Sequence, residues 1–149
     1  MNYEEIMLRA ISEAEKYKYT AKPNPVVGAI LTKGKEIISE GYHVKYGKNH
    51  AEINAIINAD KHKNKKFNDF SELALICTLE PCSHIGKTGS CAQAIVKSGI
   101  KKVIIGSIDP NPKVSGKGVQ ILKENNVDVT VGIHQELVEK QNKFFFYRH

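Results

Sequence analysis

Two predominantly apolar runs constrain this chain more than any other feature of its sequence. Residues 73–78 read LALICT and residues 102–108 read KVIIGSI. Neither run alternates apolar with polar residues, which is typical of strands that are buried on both faces of a sheet. Segments with helical spacing follow each of them. This alternation of strands and helices predicts an α/β protein.

The sequence before these runs predicts a helix and then a hairpin. Asn2 and Glu5 have the spacing of a helix start, and apolar residues then recur at helical intervals. Residues 26–32 and 37–43 read as two strands joined by the tight turn KGKE. A hairpin followed by alternating strands and helices predicts a three-layer α/β/α sandwich with a mixed sheet.

The remaining elements follow from caps and periodicity. Asn49 can cap a helix over about 50–61, and Ser90 can cap a short helix that ends at Gly99. The other predicted elements are a helix over 116–125, a strand over 127–132 and a last helix over 134–147.

Length and composition indicate one domain. The chain has 149 residues, of which 41% are hydrophobic and 26% charged, so one domain over residues 1–149 can bury a core. No apolar run approaches the roughly 18 residues of a membrane span, and the start MNYEEIMLRA lacks the apolar stretch of a signal peptide. We therefore expect a cytoplasmic protein without a membrane partner.

The net charge of +6 does not indicate a nucleic-acid partner. It comes from 20 lysines and only 2 arginines, which are scattered along the chain. The sequence also shows no pattern of aromatic residues on which nucleic-acid bases could stack.

Three cysteines are too few for a secreted disulfide scaffold and indicate reduced thiols. Cys77 lies inside an apolar run, which indicates a packing role. Cys82 and Cys91 lie instead in the polar stretch LEPCSHIGKTGSC, directly after a predicted strand.

His50 belongs to the same predicted site. In open α/β sheets, binding sites lie beyond the carboxyl ends of the strands, where this stretch and residues 109–112 (DPNP) both fall. One imidazole and two thiolates suit zinc, and three protein ligands leave a fourth position for water. His50, Cys82 and Cys91 are therefore the predicted zinc ligands.

Glu52 follows His50 by two residues. In the middle of a helix these positions point in nearly opposite directions, so both can face one metal only in the first turn. There, Glu52 could take a proton from water and later give one to a leaving group. The pattern H-x-E with a following P-C is also part of the zinc deaminase signature.

The sequence closely resembles the deaminase domain of the bifunctional riboflavin-biosynthesis deaminase/reductase family. The matching stretches run from residue 20 to about 146 and include PNPVVGAI, GYH, HAE, TLEPCSHIGKTGSC, DPNPKVSGKG and NKFFF. The resemblance implies a cytidine-deaminase-like fold and zinc-dependent hydrolytic deamination of 2,5-diamino-6-(5-phosphoribosylamino)pyrimidin-4(3H)-one. By position it implies the same three zinc ligands, with Glu52 as the proton shuttle. It also implies these substrate-pocket residues: Asn24, His43, His84, Lys87, Thr88, Asp109 and Asn111.

Two departures from the family pattern stand out. Gly89 and Ser90 occupy positions where the family usually has two prolines, and the match ends without a reductase domain. The sequence also lacks a G-x-G-x-x-G motif after a strand. Whether the chain is a stand-alone deaminase or a fragment, we expect it to need no NADPH, to pass its product to a separate reductase and to form a homo-oligomer.

Two other functions remain open from the sequence. The first is a zinc deaminase that acts on another nucleoside, nucleotide or tRNA base. The long spacing between the two site cysteines argues against this function. The second is a non-catalytic zinc-binding scaffold subunit, which has no need of Glu52.

Overall fold

A mixed five-stranded sheet lies at the centre of the computed structural model, which describes residues 2–22, 24–44, 50–60, 70–83 and 90–147. The strand order is β2-β1-β3-β4-β5, with β1 antiparallel to both neighbours and β3, β4 and β5 parallel. The elements are α1 (Tyr3–Ala14), β1 (Gly28–Lys33), β2 (Glu36–Tyr42), α2 (Ala51–Asp60), β3 (Leu73–Leu79), α3 (Cys91–Ser98), β4 (Lys102–Ser107), α4 (Lys117–Glu124), β5 (Asp128–Val131), α5 (Gln135–Gln141) and α6 (Lys143–Tyr147).

Helices cover both faces of this sheet, which confirms the predicted three-layer sandwich. Leu75 and Cys77 of β3 point into a core formed with α2, α3 and α4. Ala74 and Ile76 point the other way, into a second core formed with α1. Because β3 is buried on both faces, its sequence is apolar at every position except Thr78, rather than only at alternate ones.

Local capping signals in the sequence are confirmed at two helices. The Asn2 side chain accepts from the Glu5 N–H at 2.8 Å, and the Glu5 carboxylate accepts from the Asn2 N–H at 3.3 Å. Ser90 caps α3, which ends at Gly99 in the left-handed conformation. Asn49, the predicted cap of α2, lies outside the described residues.

The C-terminal segment differs from the single predicted helix, because α5 and α6 are separated at Asn142. The Asn142 carboxamide is buried and forms two hydrogen bonds with the backbone of Val26. It accepts from the Val26 N–H at 2.8 Å and donates to the Val26 carbonyl at 3.1 Å. These bonds satisfy a backbone donor and acceptor just before β1 that would otherwise be buried unpaired. The requirement comes from tertiary contact, so the periodicity of residues 134–147 does not reveal it.

The first turn of α2 is held close to β2 by backbone contact. A Cβ atom at Gly41 would lie 2.2 Å from both the Ala51 carbonyl oxygen and the Ala55 nitrogen. The Ser39 hydroxyl also donates to the Ala55 carbonyl at 2.7 Å. Together these contacts fix the start of α2 beside the sheet edge that carries the candidate site.

In the part of the chain that the structure describes, every helix is too short or too polar to cross a lipid bilayer.

Candidate active site

Three side chains that could hold a metal ion meet beyond the carboxyl end of β3. His50 directly precedes α2, Cys82 lies three residues after β3, and Cys91 is the first residue of α3. The His50 Nδ1 atom is 3.2 Å from the Cys91 Sγ atom and 3.9 Å from the Cys82 Sγ atom. All three donor atoms lie within 4.8 Å of one another. The structure therefore brings the three predicted ligands together.

The donor geometry fits zinc. Tetrahedral coordination with Zn–N near 2.0 Å and Zn–S near 2.3 Å separates a nitrogen from a sulfur ligand by about 3.5 Å. The two measured N···S distances, 3.2 and 3.9 Å, lie on either side of that value. Among the described residues the cluster has these three members, which is the ligand count of catalytic zinc sites.

The N-terminus of α3 holds Cys82 in place. The Cys91 N–H donates to the Cys82 Sγ atom at 3.3 Å, and the Ala92 N–H donates to the Cys82 carbonyl at 3.0 Å. The buried Ser90 hydroxyl donates to the same carbonyl at 2.8 Å. Ser90, one of the two departures from the family pattern, thus links the two cysteine segments.

Mutual hydrogen bonding among the three side chains shifts the pKa values of both cysteines. Hydrogen bonds from the Cys91 thiol and from His50 lower the pKa of Cys82 to about 4. The pKa of Cys91 is raised, because its proton is held against Cys82 and burial disfavours a second thiolate. A divalent cation among the three donors would favour both thiolates in place of that proton.

Glu52 lies in the first turn of α2, as the sequence predicts, and its side chain is almost completely buried. Burial raises the pKa of its carboxyl to about 7, and the carboxyl hydrogen-bonds the Cys91 side chain. A carboxyl with a pKa near 7 can both accept and release a proton at neutral pH. The geometry thus suits a proton shuttle beside the three donors.

A cavity of about 210 Å³ opens in front of this cluster. The Asn24 Nδ2 and His43 Nε2 atoms are 3.0 Å apart, and the buried His43 ring meets the His50 ring edge to face at 5.3 Å. The residues that line the cavity are Asn24, Pro25, Val27, His43, His50, Glu52, Leu79, Glu80, Cys82 and Asp109.

Three of the seven predicted substrate-pocket residues, namely Asn24, His43 and Asp109, line the cavity. Asn111 is not among the lining residues, and its carboxamide oxygen accepts instead from the Lys113 N–H at 3.0 Å. Asparagine commonly stabilises turns in this way. The other three predicted residues, His84, Lys87 and Thr88, lie outside the described residues.

Glu80 also lines the cavity and is absent from the sequence-based prediction. The sequence feature that could have indicated Glu80 is the position of an acidic residue between a buried strand and the P-C of the metal motif.

Comparison with known proteins agrees with this site. The model of the cytidine and deoxycytidylate deaminase zinc-binding region matches residues 1–107. A diaminohydroxyphosphoribosylamino-pyrimidine deaminase of Buchnera aphidicola subsp. Schizaphis graminum is 49% identical over 142 residues, which cover 95% of this chain and 92% of that protein. The chain belongs to the diaminohydroxyphosphoribosylamino-pyrimidine deaminase family.

In longer relatives, the region that matches this chain is only part of the protein. The riboflavin biosynthesis protein RibD of Aquifex aeolicus is 43% identical over 94% of this chain, which spans only 37% of that protein. The structure of Acinetobacter baumannii RibD matches 97% of this chain, with a TM-score of 0.87 and 41% sequence identity. The match covers 38% of the RibD chain. A dCMP deaminase from cyanophage S-TIM5, with a TM-score of 0.59 and 24% identity, shares the fold.

We expect the purified deaminase to contain one zinc ion per chain, because its three donors match the ligand types and count of a catalytic zinc site. Elemental analysis should find close to one equivalent, and Cys91→Ser should retain far less. Cys77→Ser is the matched control, because Cys77 is completely buried in the core and should not affect zinc content. A zinc-free wild-type protein with full activity would contradict the prediction.

Proposed function

We propose that this chain hydrolyses 2,5-diamino-6-(5-phosphoribosylamino)pyrimidin-4(3H)-one to 5-amino-6-(5-phosphoribosylamino)uracil and ammonia, a step of riboflavin biosynthesis. The observation that carries this proposal is the buried Glu52 carboxyl beside the His50, Cys82 and Cys91 donors in one cavity. The substrate follows from the family, whose members of similar length are named for this deamination.

The side chains of the cavity have distinct roles in this proposal. A bound zinc ion supplies Lewis acidity that activates water near neutral pH. Glu52 accepts a proton from the attacking water and delivers it to the departing amino nitrogen, which leaves as ammonia. Asn24, His43 and Asp109 provide hydrogen-bonding groups for the polar edges of the pyrimidine.

The cavity fits the pyrimidine ring rather than the whole substrate. Sites that enclose a complete small-molecule ligand usually have volumes of about 300 Å³ or more, whereas this cavity measures about 210 Å³. We therefore place the reacting ring inside and the phosphoribosyl arm beyond the cavity mouth.

Lys87 is the proposed partner of the substrate phosphate, on the basis of its sequence match. Lys87→Ala should raise KM by about tenfold or more, because a charge-assisted hydrogen bond is lost. Lys97→Ala, which removes an exposed positive charge on α3, is the matched control and should leave KM unchanged. An equal loss on phosphorylated and dephosphorylated substrates would instead indicate a role in loop folding.

We also propose that residues 1–149 form one domain that acts in the cytoplasm as a homo-oligomer. Its partners would be the phosphorylated pyrimidine and a separate reductase, with no role for a membrane or nucleic acid.

The decisive assay is ammonia release from the diaminopyrimidine phosphate, with cytidine and adenosine as competing substrates. We expect turnover of the diaminopyrimidine alone, at the same rate with and without NADPH. Preference for cytidine or adenosine would overturn the proposed substrate. Substrate-dependent oxidation of NADPH by this chain would contradict the prediction that it only deaminates.

A further inference from the structure

The Glu80 carboxylate is buried and accepts three backbone hydrogen bonds from one distant segment. Its Oε1 atom accepts from the N–H groups of Asp109 and Gly116, both at 3.0 Å. Its Oε2 atom accepts from the Val119 N–H, also at 3.0 Å. The side chain is only slightly exposed, so these donors replace most of the water that an ionised carboxylate requires.

The backbone at Glu80 is itself firmly placed. Its N–H donates to the Ser107 carbonyl at 2.9 Å, which extends the pairing of β3 with β4 beyond the end of the strand. Pro81 follows and restricts Glu80 to extended conformations. A Cβ atom at Gly118 would lie 1.9 Å from the Pro81 carbonyl oxygen, so the start of α4 contacts this backbone directly.

Glu80 performs for α4 the function that a local capping residue usually performs. Gly116 precedes α4 and provides no side-chain cap, and Val119 is the third residue of the helix. Capping side chains normally accept from the N–H group at that third position. The negative charge of Glu80 also lies at the favourable end of the helix dipole.

The segment held by Glu80 begins with a residue of the cavity. Asp109 lines the cavity, and its Oδ1 atom accepts from the Asn111 N–H at 2.9 Å, which shapes the turn into the rest of the segment. Only Pro81 separates Glu80 from the predicted zinc ligand Cys82. One carboxylate therefore connects the backbone of Asp109 to the segment that carries Cys82.

We propose that Glu80 is a positioning residue of the deaminase, which acts on the substrate through Asp109. The inference rests on the proposed function, because the partner of Asp109 in the cavity would be the pyrimidine.

Glu80→Gln is the first test. In either orientation, the amide nitrogen of glutamine would face a backbone N–H group that now meets an oxygen. We expect KM to rise by about tenfold and kcat to fall by less than about threefold, because substrate placement changes while the groups that react remain. Zinc content should stay at the wild-type level. Glu80→Asp, which retains the charge on a shorter side chain, should show a smaller rise in KM.

A double-mutant cycle separates positioning from a general loss of stability. In an Asp109→Ala background, Glu80→Gln should change KM by less than about twofold, because the residue through which it acts is gone. Glu40→Gln is the matched control, since Glu40 pairs with Arg9 and is not among the lining residues of the cavity. It should lower the melting temperature without raising KM. An equal KM effect of Glu80→Gln with and without Asp109 would overturn the proposal.

Amide hydrogen exchange gives a readout that does not depend on the substrate. In the zinc-loaded Glu80→Gln protein, the amides of Asp109, Gly116 and Val119 should exchange at least about tenfold faster, while the Glu80 amide should remain protected by Ser107. Unchanged protection of the three amides would overturn the role of Glu80 even if the proposed deamination is observed. Lost protection would support that role even if the diaminopyrimidine phosphate is not turned over.

Discussion

Glu52→Gln is expected to lower kcat by about a hundredfold or more while zinc remains bound. Glutamine has nearly the same shape but cannot take a proton from water or deliver one to the leaving nitrogen, and general acid–base catalysis contributes about that much. The zinc ligands are unchanged by this substitution. Single-turnover ammonia release and elemental analysis of the same sample measure both quantities.

The stability of this variant provides a control against misfolding. Burial raises the pKa of Glu52 to about 7, so the ionised carboxylate disfavours the folded state. That cost is absent below the pKa of the unfolded chain and grows as the pH rises from there to about 7. Glutamine has no such cost, so at neutral pH the melting temperature of zinc-depleted Glu52→Gln should not fall below that of the zinc-depleted wild type. Near-normal turnover would show that Glu52 is only a helix-start residue.

Gly41→Ala should have the largest effect on stability, about 3 kcal/mol or more. The added methyl group would lie 2.2 Å from two backbone atoms of α2, and a helix backbone cannot move aside as a flexible side chain can. Because α2 carries Glu52 and directly follows His50, its displacement should also weaken zinc binding. Denaturant unfolding and zinc titration measure the two effects.

Gly34→Ala is the matched control for this experiment. Gly34 has a φ of +60°, but a Cβ atom there would have no neighbour within 4 Å. Alanine should therefore cost only about 1–2 kcal/mol of backbone strain, with no change in zinc affinity. If the two variants are equally stable, close packing of α2 on β2 is not what positions the site.

The cluster of His50, Cys82 and Cys91 could be predicted because cysteine and histidine are rare in this chain and Cys82 closely follows a buried strand. Cys82 and His50 meet in the structure as the sequence predicts. The strands at 73–78 and 102–108 could be predicted for a related reason, since strands buried on both faces are predominantly apolar and do not alternate. Asn111 shows the limit of this reasoning, because an asparagine next to prolines can shape a turn as well as contact a ligand.

The sequence by itself determined the fold class, the helix caps at Asn2 and Ser90, and the three side chains that cluster as the predicted zinc ligands, because each depends on residue type and local spacing. Only the tertiary structure decided the break at Asn142, the approach of α2 to Gly41 and the task of Glu80. In each case the partner is a backbone group distant in the chain. Every residue except proline offers the same N–H and C=O groups, so residue identity does not reveal which of them will be buried and need a partner.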